Sequence, residues 1–193
     1  MLVLGTRFYN TPVMSLQTGA ALGQTKRALI DPANLTILAY EIEGPLLAEH
    51  PSFLRTNEVR EVAAIGMIID DADELIGLDD VIKIRRIYDL NFNLVGLPVI
   101  DEHRHRLGKV EDYTLESQGF VIQQLHVKRG ILKGITDTGL LINRSQIVEI
   151  NDNAIIVKST GKRERVEPVK DSPRYEYVNP FRQPSPQVDR QDS

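Results

Sequence analysis

Laid against itself at an offset of about 85 to 88 residues, the chain repeats its own pattern, and this constrains its fold more than any other feature. Thr11-Pro12-Val13-Met14 lies over Leu97-Pro98-Val99-Ile100, and Ala21-Leu22-Gly23-Gln24 lies over Arg106-Leu107-Gly108-Lys109. The halves then run without a gap, Ala28-Leu29-Ile30-Asp31 over Tyr113-Thr114-Leu115-Glu116 and Ile37 to Glu43 over Ile122 to Lys128. After a loop that is longer in the second half, Glu58 to Val62 lies over Gln146 to Ile150, and Met67-Ile68-Ile69 over Ile155-Ile156-Val157. Identities are few; order, spacing and apolar pattern carry the match.

Inside each half, short runs rich in Val, Ile, Leu and Tyr are separated by Gly, Asp, Asn and Pro, the spacing of a small barrel or sandwich with little helix. Leu38, Tyr40 and Ile42 alternate with Ala39, Glu41 and Glu43, and Leu125 and Val127 alternate with Gln124, His126 and Lys128. Such strands bury one face and wet the other. Gly23 and Gly108 stand where a turn passes into a strand, so a bulge or a positive φ is expected there. Asn57 to Val62 and Arg144 to Val148 read as single helical turns, with Asn57 and Ser145 as caps. Val81 to Tyr88, after the acidic run Asp70 to Asp80, reads as a turn entering the first strand of the second half. Five prolines, at 168, 173, 180, 184 and 186, and few aliphatic residues mark a disordered tail from Gly161 onward. The organisation expected is therefore residues 1–70, an acidic linker 71–80, residues 81–160 and a tail 161–193.

With 41% hydrophobic and 26% charged residues, the bulk of the chain is that of a globular protein. Its apolar stretches fall far short of the roughly 20 residues that cross a bilayer, so no membrane insertion is expected. The opening MLVLGTRFYN has no basic leader or cleavage site, and there are no cysteines, so a cytoplasmic protein without disulfides or thiolate sites is expected. A net charge of -4 argues against nucleic acid as the main partner.

The stretch LPVIDEHRHRLGKVEDYTLESQGFVIQQLHV, followed by NRSQIVEINDNAIIV, resembles the opening and closing patterns of the PRC-barrel family, the small β-barrel found in the photosynthetic reaction-centre H subunit and in ribosome maturation factor RimM. The first half departs from it, with Gln24-Thr25-Lys26 where the family has Lys-Val-x-Asp. The resemblance implies a mainly β fold of two tandem small antiparallel barrels with single helical turns and a disordered C-terminal tail. It also implies a scaffold that docks on other macromolecules.

Motifs of catalysis are missing. His103 and His105 are two ligands at most, flanked by Arg104 and Arg106, and read as a solvated turn. His50 and His126 show no partner. Asp70-Asp71-Ala72-Asp73-Glu74 lacks the glycine and terminal glutamate of a calcium loop. Ser159-Thr160-Gly161-Lys162 has the wrong order for a phosphate loop, and neither a nucleophile elbow nor a dinucleotide fingerprint is present. No catalytic residue, metal site or cofactor is expected. Lys128, Arg129 and Lys133, with Lys83, Arg85 and Arg86, form a candidate basic edge. Tyr175, Tyr177 and Phe181 are aromatics in a segment whose composition should exclude them, and so are candidate anchors for a docking peptide. The expectation is a non-enzymatic adaptor for protein partners, with a RimM-like role on ribosome or RNA as the alternative.

Overall fold

A computed structural model describes residues 1–45, 47–129, 139–151 and 153–159. The protein is mainly β, with fourteen strands and one α-helix among these residues. In chain order, β1 (Leu2–Leu4) comes before the first half, whose strands are β2 (Pro12–Ser15), β3 (Ala21–Asp31), β4 (Thr36–Glu43), β5 (Ser52–Arg55), β6 (Glu61–Ala63) and β7 (Gly66–Ile69). A connecting strand β8 (Leu75–Gly77) and helix α1 (Ile82–Leu90) follow. The second half has β9 (Pro98–Asp101), β10 (Arg106–Glu116), β11 (Val121–Lys128), β12 (Leu140–Asn143), β13 (Ile147–Ile150) and β14 (Ile155–Val157).

Pairing runs β13-β14-β9-β10-β11-β4-β3-β2-β7-β6, so the order reads the same from either end toward the middle. β5 lies on β4 and β12 on β11, each the outer neighbour of the hairpin's second strand. The correspondence extends to register. Val13 faces Met67 in a parallel pair and Val99 faces Ile155 in another. The long hairpin β3–β4 slips between Thr25 and Arg27 and again between Leu29 and Ile30; β10–β11 slips between Val110 and Asp112 and between Thr114 and Leu115. A bulge inserts one residue and flips the facing of the residues beyond it, so both hairpins bend at the same two places.

The halves meet at the hairpin tips. Ile37 N–H donates to the Phe120 carbonyl and Ile122 N–H to the Leu35 carbonyl, each at 2.9 Å. The exchange is reciprocal, as across a two-fold axis. Leu35 and Phe120 hold the left-handed region, φ 52 and 50, which is unfavourable for bulky side chains. Both are buried at this junction, and that burial offsets the strain. Phe120 packs with Phe8 and Tyr40 in an aromatic trio, with ring centroids 5.9 to 6.1 Å apart.

The segments that flank the first half pack on different halves. β1, which precedes the first half, pairs with β10 of the second, Val3 facing Leu115. β8, which follows the first half, pairs with β5, Leu75 facing Leu54. Helix α1 then lies on β3 and covers a second apolar cluster of Leu29, Ala39, Phe53 and Ile84.

Several expectations are corrected here. No ladder joins β5 to β6 or β12 to β13 among the described residues, so the sheet is not closed into barrels. Single 3-10 turns, Thr56–Glu58 and Arg144–Gln146, occupy the chain where a closing ladder would be needed. Their N-caps are Arg55 and Asn143, not Asn57 and Ser145; Asn143 completes a reciprocal capping box with Gln146. Val81 to Tyr88 forms most of a helix rather than entering a strand. Val81, Ile84, Ile87 and Tyr88 recur at three- and four-residue spacing on the face that meets the sheet. Asn91, at φ 47, ends the helix in the left-handed conformation that Asn tolerates. Ala39, expected on the wet face, is buried because α1 covers that face. Gly108 does have a positive φ, 154, whereas Gly23 does not. What Gly23 provides is closeness, since a Cβ there would stand 2.8 Å from the Glu43 carbonyl oxygen. The tail 161–193 lies outside the described residues, and no helix among those described is long and apolar enough to cross a membrane.

Candidate functional site

Two features of the described chain present groups that a ligand or partner could use: a cavity at the junction and the outer sheet edges. The cavity, about 500 Å³, lies where the 3-10 turn Gly5–Phe8, the middle of β3 and β10, and the Asn91 to Val95 connection converge. Its size falls in the range of small-ligand pockets. Phe8, Ile30, Tyr40 and Phe92 contribute apolar surface, and Lys26, Arg27, Asp112 and Tyr113 contribute polar groups.

The bulges position that polar set. Arg27 and Asp112 each follow the first slip of their hairpin, so they occupy corresponding places with opposite charge. Arg27 donates to the Glu41 carboxylate at 3.2 Å and to Asn91 Oδ1 at 2.9 Å, and its guanidinium lies 4.7 Å from the Tyr88 ring centre. Asp112, 9% exposed, accepts from the Thr6 hydroxyl at 2.7 Å, the Thr6 amide at 3.2 Å and the Tyr113 amide at 2.7 Å. These bonds satisfy a buried carboxylate and tie the N-terminal segment to the second half.

Tyr40 is 2% exposed and its hydroxyl has no partner among the described residues. Burial, and then the neighbouring Tyr113, push its pKa well above the ordinary 10.0. Burial and the Asp112 charge raise Tyr113 as well. With Asp112 and Arg27 already engaged, the cavity offers a guest the half-exposed Lys26, which is 3.7 Å from Glu41, and the tyrosines that line it. That set holds a polar group; phenols so hard to ionise are poor proton acceptors near neutrality.

Both phenols are neutral when folded and have folded pKa values above the unfolded 10.0. Their contribution to stability is therefore whole below about pH 10 and is lost as pH rises beyond it. The difference in phenolate absorbance at 295 nm between the natural chain and a Tyr40→Phe/Tyr113→Phe variant should rise only together with loss of the circular-dichroism signal. A difference that rises near pH 10 with the fold intact would contradict this assignment.

Of the residues singled out in the sequence, Lys128 reaches Glu111 at 3.3 Å and Arg129 is exposed. Lys133, Tyr175, Tyr177 and Phe181 lie outside the described residues. Arg85 pairs with Asp79 and lies 4.0 Å from Asp89, so it and Lys128 are each beside a carboxylate rather than gathered into one basic edge. His103 and His105 flank a turn organised by Asp101, whose Oδ1 accepts from both their amides at 2.9 and 2.8 Å while Oδ2 meets His105 Nδ1 at 2.9 Å. Burial pushes the Asp101 carboxyl up, but the bonds from His105 and His103 together hold it below its ordinary value. His126 Nε2 meets the Thr114 hydroxyl at 2.6 Å. No three of His, Asp and Glu converge as a metal would require among the described residues.

The pairs Asp112–Thr6 and Arg27–Asn91 are invisible to sequence reasoning because 106 and 64 residues separate the partners. One signal was present: opposite charges, Arg27 and Asp112, at corresponding places of the repeated pattern. Leu141 on β12 and Val148 on β13 are 55% and 52% exposed on the outer strands of the second half. The chain matches no protein-family model and no curated protein.

Proposed function

We propose that the chain is a non-catalytic docking module made of two copies of one PRC-barrel-type unit, which presents its outer strands to a protein partner in the cytoplasm. The observation that carries this reading is the open edge of the second half, where β12 and β13 expose Leu141 and Val148 on strands with no outer neighbour among the described residues. An unpaired strand with exposed aliphatic side chains is a template for adding another strand. The repeated register and the shared bulges support descent from one duplicated unit. The fused junction supports a rigid body that holds both edges at fixed places. Tyr175, Tyr177 and Phe181 would serve as a second, peptide-like anchor.

The test is capture with the full chain, with a Leu141→Lys/Val148→Lys variant and with the three tail aromatics changed to alanine. A protein retained by the natural chain should be lost by the edge variant, whose melting temperature should stay within about 2 °C because both changes are at exposed positions. Equal capture by natural and edge-variant chains would overturn the reading. Material that absorbs at 260 nm and is released steeply by salt would instead identify nucleic acid, and with it the RimM-like alternative.

A further inference from the structure

We infer that the cavity at the junction binds a free, singly charged organic anion, an aromatic monocarboxylate, with its carboxylate against Lys26 and Arg27 and its ring among the aromatic side chains of the wall. The site lies apart from the outer strands proposed for docking, and neither use excludes the other.

Size and lining select the body of the guest. About 500 Å³ admits an organic molecule rather than an inorganic ion alone. Phe8, Tyr9, Tyr40, Phe92 and Tyr113 all line it. Phe8 and Tyr40 are fixed by packing on each other and on Phe120. The Tyr113 ring lies so close to Gly5 that a Cβ there would meet it at 2.4 Å. These walls are therefore set before a guest arrives, and a flat ring buries its faces on them without first ordering them. Tyr9 and Val95 line the cavity yet stay exposed, so it opens to solvent on their side.

Charge selects the head group. Lys26 Nζ lies 3.7 Å from one oxygen of Glu41 and Arg27 Nε lies 3.2 Å from the other, so two cations share one carboxylate. The Lys26 and Arg27 side chains are 52% and 35% exposed, against 14% for Glu41, which leaves positive charge where a guest can reach it. Arg27, though engaged through Nε with Glu41 and through Nη1 with Asn91, keeps Nη2 to donate. Those two bonds and the Tyr88 ring hold its guanidinium in place, and a fixed guanidinium suits a planar carboxylate.

Asp112, the counterpart of Arg27, also lines the cavity but is 9% exposed and already accepts three hydrogen bonds, so it does not call for a cation. Together with the carbonyl end of α1 at Asn91, it opposes a second negative charge on the guest. A monocarboxylate fits where a phosphate dianion does not.

Isothermal titration of the full chain with phenylacetate, phenylacetamide, phenethylamine and inorganic phosphate tests the assignment. Phenylacetate should bind with a Kd of about 1 mM or tighter, and the uncharged amide at least about tenfold more weakly. Lys26→Glu, a change at an exposed position, should weaken phenylacetate by about tenfold or more while the melting temperature stays within about 2 °C. Ala28→Leu, which puts a larger side chain on the cavity wall opposite Tyr40, should abolish binding with the circular-dichroism spectrum unchanged. Absent binding of phenylacetate, or equal affinity for the acid and its amide, overturns the inference. So does a preference for phenethylamine, which would assign recognition to Asp112, or phosphate bound as tightly as phenylacetate. Undiminished binding by Lys26→Glu or by folded Ala28→Leu would place the anion elsewhere and overturns it equally. None of these outcomes bears on capture of a protein by the outer strands.

Discussion

Replacing Phe8 by alanine is expected to destabilise the protein by about 3–5 kcal/mol, the range for emptying a buried aromatic site. Phe8 is 3% exposed and belongs to the segment before the first half, yet its ring packs on Tyr40 of that half and on Phe120 of the other. The cavity would therefore open at the junction itself, where collapse is resisted by the reciprocal bonds between Leu35, Ile37, Phe120 and Ile122. For a chain of this length the loss corresponds to a melting temperature lower by roughly 6–20 °C. Unfolding of the natural chain should be one transition, because strand β1, helix α1 and the aromatic trio each tie one half to the other or to the segment between them. Denaturant unfolding followed by circular dichroism, with hydrogen exchange to resolve the halves, measures both. A loss below about 1 kcal/mol, or two well-separated transitions, would show that the junction does not hold the halves together.

Gly108→Ala is expected to cost about 2–4 kcal/mol, combining backbone strain with overpacking. Gly108 has φ +154, and a Cβ there would stand 2.3 Å from the Lys128 carbonyl oxygen and 2.8 Å from Val127 Cγ1. The obstacle is largely ladder backbone, which cannot yield without loosening β10 from β11. Gly23→Ala, its counterpart, should cost less, about 1–2 kcal/mol, because its φ is ordinary and its nearest obstacle, the Glu43 carbonyl oxygen at 2.8 Å, stands farther off than the 2.3 Å met at Gly108. Thermal melts of the two variants side by side give the ordering. A milder effect at 108 than at 23 would mean that the strand separation at the bulge relaxes easily.

Much of the fold was legible because it is local. Val, Ile and Leu at two-residue spacing make strands whatever surrounds them, so β3, β4, β10 and β11 and the two 3-10 turns could be placed from the chain alone. The self-alignment set Val13 over Val99 and Met67 over Ile155, but the pairing of Met67 with Val13 and of Ile155 with Val99 is long-range and was not legible in it. Helix α1 was misread because Ile82 and Ile84 alternate with Lys83 and Arg85 over a window too short to exclude a strand. The three- and four-residue spacing of Val81, Ile84 and Tyr88 was equally present, and the exposed face of β3 and β5 awaiting cover decided between them. Propensity is weak enough for such burial to override it.

Tertiary structure alone decided the rest. Nothing local in Leu35 or Phe120 calls for a positive φ; the junction imposes it, and their burial there sustains it. The same holds for Asp112 and Thr6 and for Arg27 and Asn91, which meet only once the flanking segments are in place, and for the burial of the Tyr40 hydroxyl. Apolar periodicity states which face of a strand is buried but not what buries it. The sequence by itself therefore determined strands and turns, whereas the packing of the flanking segments on the halves determined the cavity, the strained turns and which sheet edges are covered among the described residues.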